Sequence, residues 1–254
     1  MSDLDPALLR LIRDPRATPA PPSAEAHAAA MLRAHVLRAL SRASAAAAVP
    51  ALLIKAAALA LTVYPTPASR AMADIDVLVR GDDRDALLAA LEREGGTVHH
   101  PAGRPLSREL LGETAVLLQA GALSYLVEVH TSLDKLVPRP IAAQALLDRA
   151  TPAPGLPGLF LPSMEDHALL IALHLAGHDF HHPVGLLDLE LLLRRGLDTT
   201  ALVERARAWA LSSVMFVSLS TLRALGAASV SEALIAAFAP GPLRRALLGR
   251  TFPP

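Results

Sequence analysis

The chain has 254 residues, with 24 Lys and Arg, 24 Asp and Glu, and no cysteine. A hydrophobic content of 52% is enough to bury a sizeable core, and the zero formal net charge disfavours a nucleic-acid or acidic-membrane surface. Without cysteine there are no disulfides or thiolate metal sites, and no leader or membrane span is evident, so we expect a cytoplasmic protein.

The first quarter of the chain predicts an arm, a helix, a short strand and a second helix. Several prolines in residues 1–24 forbid a long helix and predict a loose N-terminal arm after one helical turn. From residue 25 to about 48, apolar residues recur at helical spacing, which predicts an amphipathic helix. After Pro50, residues 51–54 indicate a buried strand that ends at Lys55, where a cation beside a helix start suits phosphate.

The next strand, residues 74–79, opens with two carboxylates. The two-residue period of a strand puts Asp74 and Asp76 on one face and the intervening apolar residues on the other. Like charges roughly 6 to 7 Å apart repel by about 2 to 3 kcal/mol at an effective dielectric near 20. A cation is therefore expected nearby, although two solvated aspartates are the simpler interpretation of an isolated Asp-x-Asp pattern.

A third carboxylate lies on a later strand. Residues 114–119 and 123–131 are two strand-like runs whose spacing predicts a hairpin. In the second run, alternation sends Glu128 and His130 to one face and two valines to the other. His130 is therefore a candidate for substrate contact, and a structural hydrogen-bonded histidine is an equal alternative.

The remainder predicts a linker and a helical domain. Residues 151–162 are rich in proline and glycine and mark a boundary between a core at 25–150 and a helical domain at 163–254. In that domain, His174 and His178 are four residues apart on one helix. For both histidines we favour one of two roles: packing, or contact with the substrate in a cleft opposite the carboxylates.

Zinc is the alternative for these two histidines, with a further ligand from the neighbouring segment. No His-Glu-x-x-His motif is present, which counts against a zinc site. The further ligands considered are Asp188, His181 and His182.

Three carboxylates on two strands, Asp74, Asp76 and Glu128, are the oxygen ligands that a hard cation such as Mg²⁺ prefers. Two such ions can hold the attacking and leaving oxygens of an in-line phosphoryl displacement. Lys55 and Arg70 are close in sequence and would bind the remaining phosphate charge. The pattern predicts nucleotide chemistry.

Four segments together resemble the uncharacterised bacterial nucleotidyltransferase-like family of the DNA polymerase β superfamily. They are residues 52–55, Tyr64-Pro65, the Arg-x-Met-x-Asp-x-Asp core of residues 70–79, and residues 127–130. The resemblance extends to the helix of His174 and His178 and to residues 187–189. It implies an α+β protein, with helices on one face of a mixed sheet and a helical C-terminal domain after it.

The same resemblance implies an activity. Asp74 and Asp76 would bind Mg²⁺ or Mn²⁺, and Glu128 would be a third metal ligand or the base for an attacking hydroxyl. The implied reaction moves a nucleoside monophosphate from an NTP to a hydroxyl or similar group of a small molecule or peptide, and it releases pyrophosphate. Nucleic acid and membrane are not expected partners, and the sequence does not specify the oligomeric state.

One departure from the family leaves two alternatives open. The family usually has glycine after the lysine, whereas this chain has Ala56-Ala57. If the position after the lysine needs a positive φ, alanine there costs about 1 to 2 kcal/mol of stability. If phosphate must approach this position closely, the Cβ of alanine blocks it. A catalytically weak or inactive binding or regulatory protein is therefore the first alternative. A toxin-like transferase acting on RNA or protein is the second, and the neutral net charge counts against RNA.

Overall fold

The structure is a computed structural model, and the residues it describes are 5–99, 112–120, 123–134 and 139–251. The chain divides into two compact units. One unit is Pro21–Ser163, and the other joins Met164–Pro254 to Met1–Ala20. We call the first the αβ unit and the second the helical unit.

Within the described residues, the αβ unit is built on a seven-stranded mixed sheet. The strands are β1 (Ala51–Leu53), β2 (Asp74–Leu78), β3 (Thr97–His99), β4 (Glu113–Ala120), β5 (Leu123–His130), β6 (Thr151–Pro152) and β7 (Leu159–Leu161). Their order across the sheet is β3-β4-β5-β2-β1-β7-β6. Strand β2 is parallel to β5 and β1 is parallel to β7, while the other neighbours are antiparallel. The predicted mixed sheet and the β4–β5 hairpin are confirmed.

The helices occupy both units. In chain order they are α1 (Pro6–Arg13), α2 (Ala24–Ala47), α3 (Lys55–Thr62), α4 (Arg84–Arg93), α5 (Ala143–Leu147), α6 (Met164–Ala176), α7 (Pro183–Leu193), α8 (Thr199–Ala208), α9 (Ser212–Ala224), α10 (Glu232–Ala237) and α11 (Pro242–Thr251). The run from α6 to α11 confirms the predicted helical C-terminal region. Of the helices that the structure describes, none is both long and apolar enough to cross a membrane.

One face of the sheet is covered by α2 and α4. Helix α2 begins after Ser23, whose hydroxyl accepts the N–H of Ala26. Residues that alternate along β2 and β5, such as Val77 and Val129, share one core with apolar side chains of these helices. Each such side chain stabilises the fold by about 1.5 to 3 kcal/mol when fully buried. The residues between them on β2 and β5 point to the other face, which is where the site lies.

The segment predicted as a linker, residues 151–162, supplies β6 and β7 to the sheet, and the division between the compact units falls after it, between Ser163 and Met164. Strand β7 lies alongside β1, with Leu159 opposite Ala51. Gly158 has a φ of +83°, and a Cβ there would lie 2.6 Å from the Ser44 hydroxyl on α2. The glycine that resembled part of a linker therefore permits a close approach of the backbone to a helix. The predicted domain boundaries stay a prediction.

The predicted loose N-terminal arm is corrected as well, because residues 6–13 form α1, which is part of the helical unit. The side chain of Asp5 caps its N-terminus, and Ile12 is fully buried. Arg194, the residue that follows the last residue of α7, donates to the carbonyls of Leu11 and Ile12 at 2.6 and 2.9 Å. The prolines do keep the helix short, but contacts with α7 order a segment whose local pattern indicates little structure.

Candidate active site

The register between β2 and β5 brings the predicted carboxylates together. These strands are parallel neighbours, and Asp76 lies directly opposite Glu128. Asp74 lies opposite Leu126, and Leu78 opposite His130. Because residues paired across neighbouring strands point to the same side of a sheet, the three acids and His130 share one face. The structure thus places Glu128 on the strand next to that of Asp74 and Asp76 and on the same face. The alternation of polar and apolar residues predicts which residues of each strand share a face.

Asp76 is the centre of this group. Its side chain is 4% exposed, and its Oδ1 lies 2.5 Å from Lys55 Nζ and 2.8 Å from His130 Nε2. An ionised carboxylate only accepts hydrogen bonds, so both nitrogens donate to it. His130 Nε2 also lies 3.6 Å from Glu128 Oε2. The cation expected near the aspartates is therefore Lys55.

The charges of the group shift its pKa values in opposite directions. Burial alone would raise the pKa of Asp76, but the His130 hydrogen bond and the Lys55 charge lower it to about 2. Burial raises the pKa of Asp74, and the charge of Asp76 raises it further. Burial also raises the pKa of Glu128, with Glu113 and Asp76 adding to the effect. Burial and the neighbouring carboxylates thus make the ionised forms of Asp74 and Glu128 less favourable.

Lys55 occupies an unusual backbone position. It is the first residue of α3, and its φ is +50°, in the left-handed region. Burial would lower the pKa of its ammonium, but the charge of Asp76 prevails and raises it. Among the described residues, Ala56 and Ala57 are not in the left-handed region. The conformational penalty of about 1 to 2 kcal/mol thus falls on the lysine and not on the alanines that replace the family's glycine.

Arg70, the second predicted phosphate ligand, follows a single 3₁₀ turn and is half-buried. Its guanidinium donates to the carbonyl of Ala71. The segment around it is fixed by two side chains that the sequence pattern does not single out: Arg33 on α2 donates to the Pro67 carbonyl at 3.0 Å, and the Tyr125 hydroxyl donates to the Met72 carbonyl at 2.8 Å. Binding of phosphate by Arg70 stays a prediction.

Glu113 is a site residue that the sequence analysis misses. It lies directly opposite His130 in the β4–β5 hairpin, is 5% exposed, and its Oε2 lies 4.0 Å from His130 Nδ1. The predicted strand begins one residue later, at 114. Extending that strand by one residue, with the hairpin register kept, would place the glutamate on the face of Glu128 and His130.

His174 and His178 lie in the helical unit, where their rings pack against His182. The ring centroids of the three histidines are 4.6 to 5.1 Å apart. His182 Nδ1 accepts the N–H of Gly185 and so caps α7. Among the residues that the structure describes, the metal-ligand group with atoms within 4.8 Å of one another is Asp76, Glu128 and His130. Contact of His174 and His178 with substrate stays a prediction.

Glu128→Gln is expected to stabilise the metal-free protein at neutral pH. Folding raises the pKa of Glu128 above its usual 4.5, so the folded state binds this proton more tightly than the unfolded state. At a pH above the folded-state pKa of Glu128, the ionised side chain therefore lowers the free energy of unfolding. This cost disappears as the pH falls to the unfolded-state pKa. With chelator present, the variant should have the higher Tm at about pH 7 and no advantage at about pH 4.

Thermal unfolding over this pH range measures the effect, with Glu92→Gln as the control because Glu92 is exposed on α4. Equal Tm values for Glu128→Gln and wild type at neutral pH would contradict the account of the site's charge.

The fold and the site together define a class of protein. The mixed sheet, the carboxylates on adjacent parallel strands and the lysine at a strand-to-helix turn agree with what the resemblance to the nucleotidyltransferase-like family implies. Residues 22–226 match the family described as uncharacterised nucleotidyltransferase, and the chain belongs to that family. The family that the sequence motifs resemble is thus confirmed, and the chain is a nucleotidyltransferase by family.

Two solved structures of one protein are similar to this chain. The solution structure of the antibiotic-resistance factor ANT(2'')-Ia is 18% identical over 74% of this chain and 96% of that chain, with a TM-score of 0.45. The crystal structure of ANT(2'')-Ia with adenylyl-2''-tobramycin is 18% identical over 81% and 96%, with a TM-score of 0.39. No curated protein matches the sequence. The family assignment comes from the match of residues 22–226.

Proposed function

We propose that the chain transfers a nucleoside monophosphate from an NTP to a hydroxyl or similar group of a small molecule or peptide. The observation that carries this proposal is the parallel register of β2 and β5, which sets Asp76 beside Glu128 on one face. Lys55 adds a cation to the same face through its contact with Asp76. This combination suits a substrate that arrives as a metal-bound polyphosphate.

The residues of the site fit Mg²⁺ or Mn²⁺. Asp74, Asp76 and Glu128 supply carboxylate oxygens. Burial and the neighbouring carboxylates raise the pKa values of Asp74 and Glu128, and a bound divalent cation would stabilise their ionised forms. When bound, such ions neutralise phosphate charge and align the attacking and leaving oxygens of an in-line displacement. We assign metal binding to these three acids, as the family resemblance implies.

The phosphates would be held by Lys55 and the start of α3. The first N–H groups of a helix lack partners within it, and Ile54 at the N-cap offers no capping side chain. These N–H groups and the helix dipole favour an anion, and the Lys55 ammonium would move from Asp76 to a phosphate oxygen. Arg70 would add a second cation if its guanidinium turns from the Ala71 carbonyl to the nucleotide.

Because Glu128 is assigned here to metal binding, a bound cation would lower its pKa, and the base for the acceptor hydroxyl is not assigned to it. The neutral net charge favours a small molecule or peptide over nucleic acid as acceptor. Because the reaction consumes NTP, we place the protein in the cytoplasm.

The direct test is calorimetry of each NTP with Mg²⁺ present, followed by an assay of pyrophosphate release with candidate acceptors. We expect at least one NTP to bind only when the divalent cation is present. Absence of binding by every NTP would overturn the proposal. Binding with no pyrophosphate release from any acceptor tried would favour the alternative, a binding or regulatory protein.

Ala56→Gly tests whether the missing glycine weakens the site. Because Lys55 already occupies the left-handed position, a glycine at 56 is expected to bring no gain in NTP affinity. It should instead lower the free energy of unfolding by about 0.5 to 1 kcal/mol, since glycine is unfavourable in a helix. The control is Ala89→Gly, at an exposed position of α4. Much tighter NTP binding by Ala56→Gly would show that the alanine Cβ obstructs the phosphates.

A further inference from the structure

His130 contacts two carboxylates of the site through one ring nitrogen. It is the last residue of β5 and 2% exposed. Its Nε2 lies between two carboxylates, 2.8 Å from Asp76 Oδ1 and 3.6 Å from Glu128 Oε2. One atom from each of the three side chains lies within 4.8 Å of the other two, which is the convergence that a shared ion needs.

The other ring nitrogen of His130 faces a carboxylate as well. Glu113 Oε2 lies 4.0 Å from Nδ1, and the β4–β5 register holds Glu113 directly opposite the histidine. A histidine that binds metal through one nitrogen nearly always donates its other N–H to a carboxylate, carbonyl or water. With Nε2 on a metal ion, the neutral ring would carry its hydrogen at Nδ1, towards Glu113. At 4.0 Å the two atoms are beyond hydrogen-bond distance, so metal binding would have to bring Nδ1 and Glu113 closer together for the acid to support the ring.

We propose that one metal ion of this site is bound by Asp76, Glu128 and His130 Nε2, and that the site prefers Mn²⁺ to Mg²⁺. The proposal rests on the nucleotidyl-transfer function above and adds the identity of the ion. Mg²⁺ binds oxygen ligands and keeps several waters, whereas imidazole suits transition-metal ions. A buried imidazole among the ligands therefore shifts the preference away from Mg²⁺. Asp74, which lies outside this converging group, is left to hold a second ion.

The test measures bound Mn²⁺ directly, without turnover. Full-length protein is loaded with Mn²⁺, and electron spin-echo envelope modulation detects coupling between the manganese electrons and a ¹⁴N nucleus. We expect ¹⁴N coupling in the wild type and in His99→Asn, because His99 is an exposed histidine of β3. His130→Gln, which offers an amide oxygen instead, should lose the coupling, bind Mn²⁺ about tenfold more weakly and keep its Mg²⁺ affinity.

Glu113→Gln provides a second variant in case the His130 variant does not fold. It should weaken Mn²⁺ binding by about tenfold or more while the ¹⁴N coupling remains, because the carboxylate only supports the ring. Glu92→Gln, at an exposed position, should bind Mn²⁺ as the wild type does.

The outcomes separate this inference from the proposed function. Mn²⁺ bound without ¹⁴N coupling, or with coupling that persists in folded His130→Gln, would overturn the inference and leave nucleotidyl transfer standing. Failure of Mn²⁺ and Mg²⁺ to bind with or without NTP would overturn both.

Discussion

Asp76→Asn is expected to lower the rate of nucleotidyl transfer by about 10³-fold or more, equivalent to roughly 4 kcal/mol of transition-state stabilisation. Asp76 is the carboxylate on which the site converges, since Lys55 and His130 both donate to it and Glu128 lies opposite it on β5. The amide has lost the negative charge that would bind a divalent cation. Pyrophosphate release at saturating NTP and metal ion measures the effect.

The control for this prediction is Asp85→Asn, because Asp85 is an acid whose side chain is 69% exposed on α4. It should leave the rate unchanged. Circular dichroism and Tm should show that Asp76→Asn remains folded, since the asparagine oxygen can still accept a hydrogen bond from Lys55 or His130. A folded Asp76→Asn protein with near wild-type turnover would contradict the assignment of this carboxylate to the reaction.

Arg194→Ala is expected to lower the free energy of unfolding by about 3 to 5 kcal/mol, the usual cost of removing one partner from a buried ion pair. The Arg194 Nε lies 2.8 Å from Glu190 Oε1, and the Glu190 side chain is 0% exposed. The same guanidinium donates to the Leu11 and Ile12 carbonyls at the end of α1. The alanine variant thus leaves a buried carboxylate without its cation and two carbonyls without their donor.

Chemical denaturation measured at several wavelengths would give this free energy, and limited proteolysis would report whether α1 is released. The control is the double variant Glu190→Gln with Arg194→Met, which removes both charges and keeps most of the side-chain volume. It should be more stable than Arg194→Ala alone. If Arg194→Ala lost less than about 1 kcal/mol, the cost of an exposed ion pair, the pair would not hold α1 to α7.

The arrangement of Asp76 and Glu128 follows from sequence because it depends on a local rule and one pairing. The period of two along a strand places Asp74 and Asp76 on one face, and the same period places Glu128 and His130 together. A slip of one residue between the two strands would turn the valines of one strand out of the core. Burial of the valines on one face therefore places the acids together on the opposite face.

Other features depend on distant contacts and have no local pattern. Residues 151–162 carry the prolines and glycines of a linker, yet β7 forms because β1 offers it a partner. Helix α1 is ordered by Arg194, a residue more than 180 positions away. The left-handed Lys55 is equally hidden, because lysine is not a residue that predicts a positive φ. In each case tertiary contacts override the local propensity of the segment.

The most direct test of the account is a crystal soaked with Mn²⁺ and a non-hydrolysable NTP, with anomalous scattering used to locate manganese. We expect an anomalous peak bonded to Asp76 and Glu128, and the triphosphate at the N-terminus of α3 beside Lys55. Nucleotide bound elsewhere, or manganese absent from these carboxylates while nucleotide is bound, would contradict it.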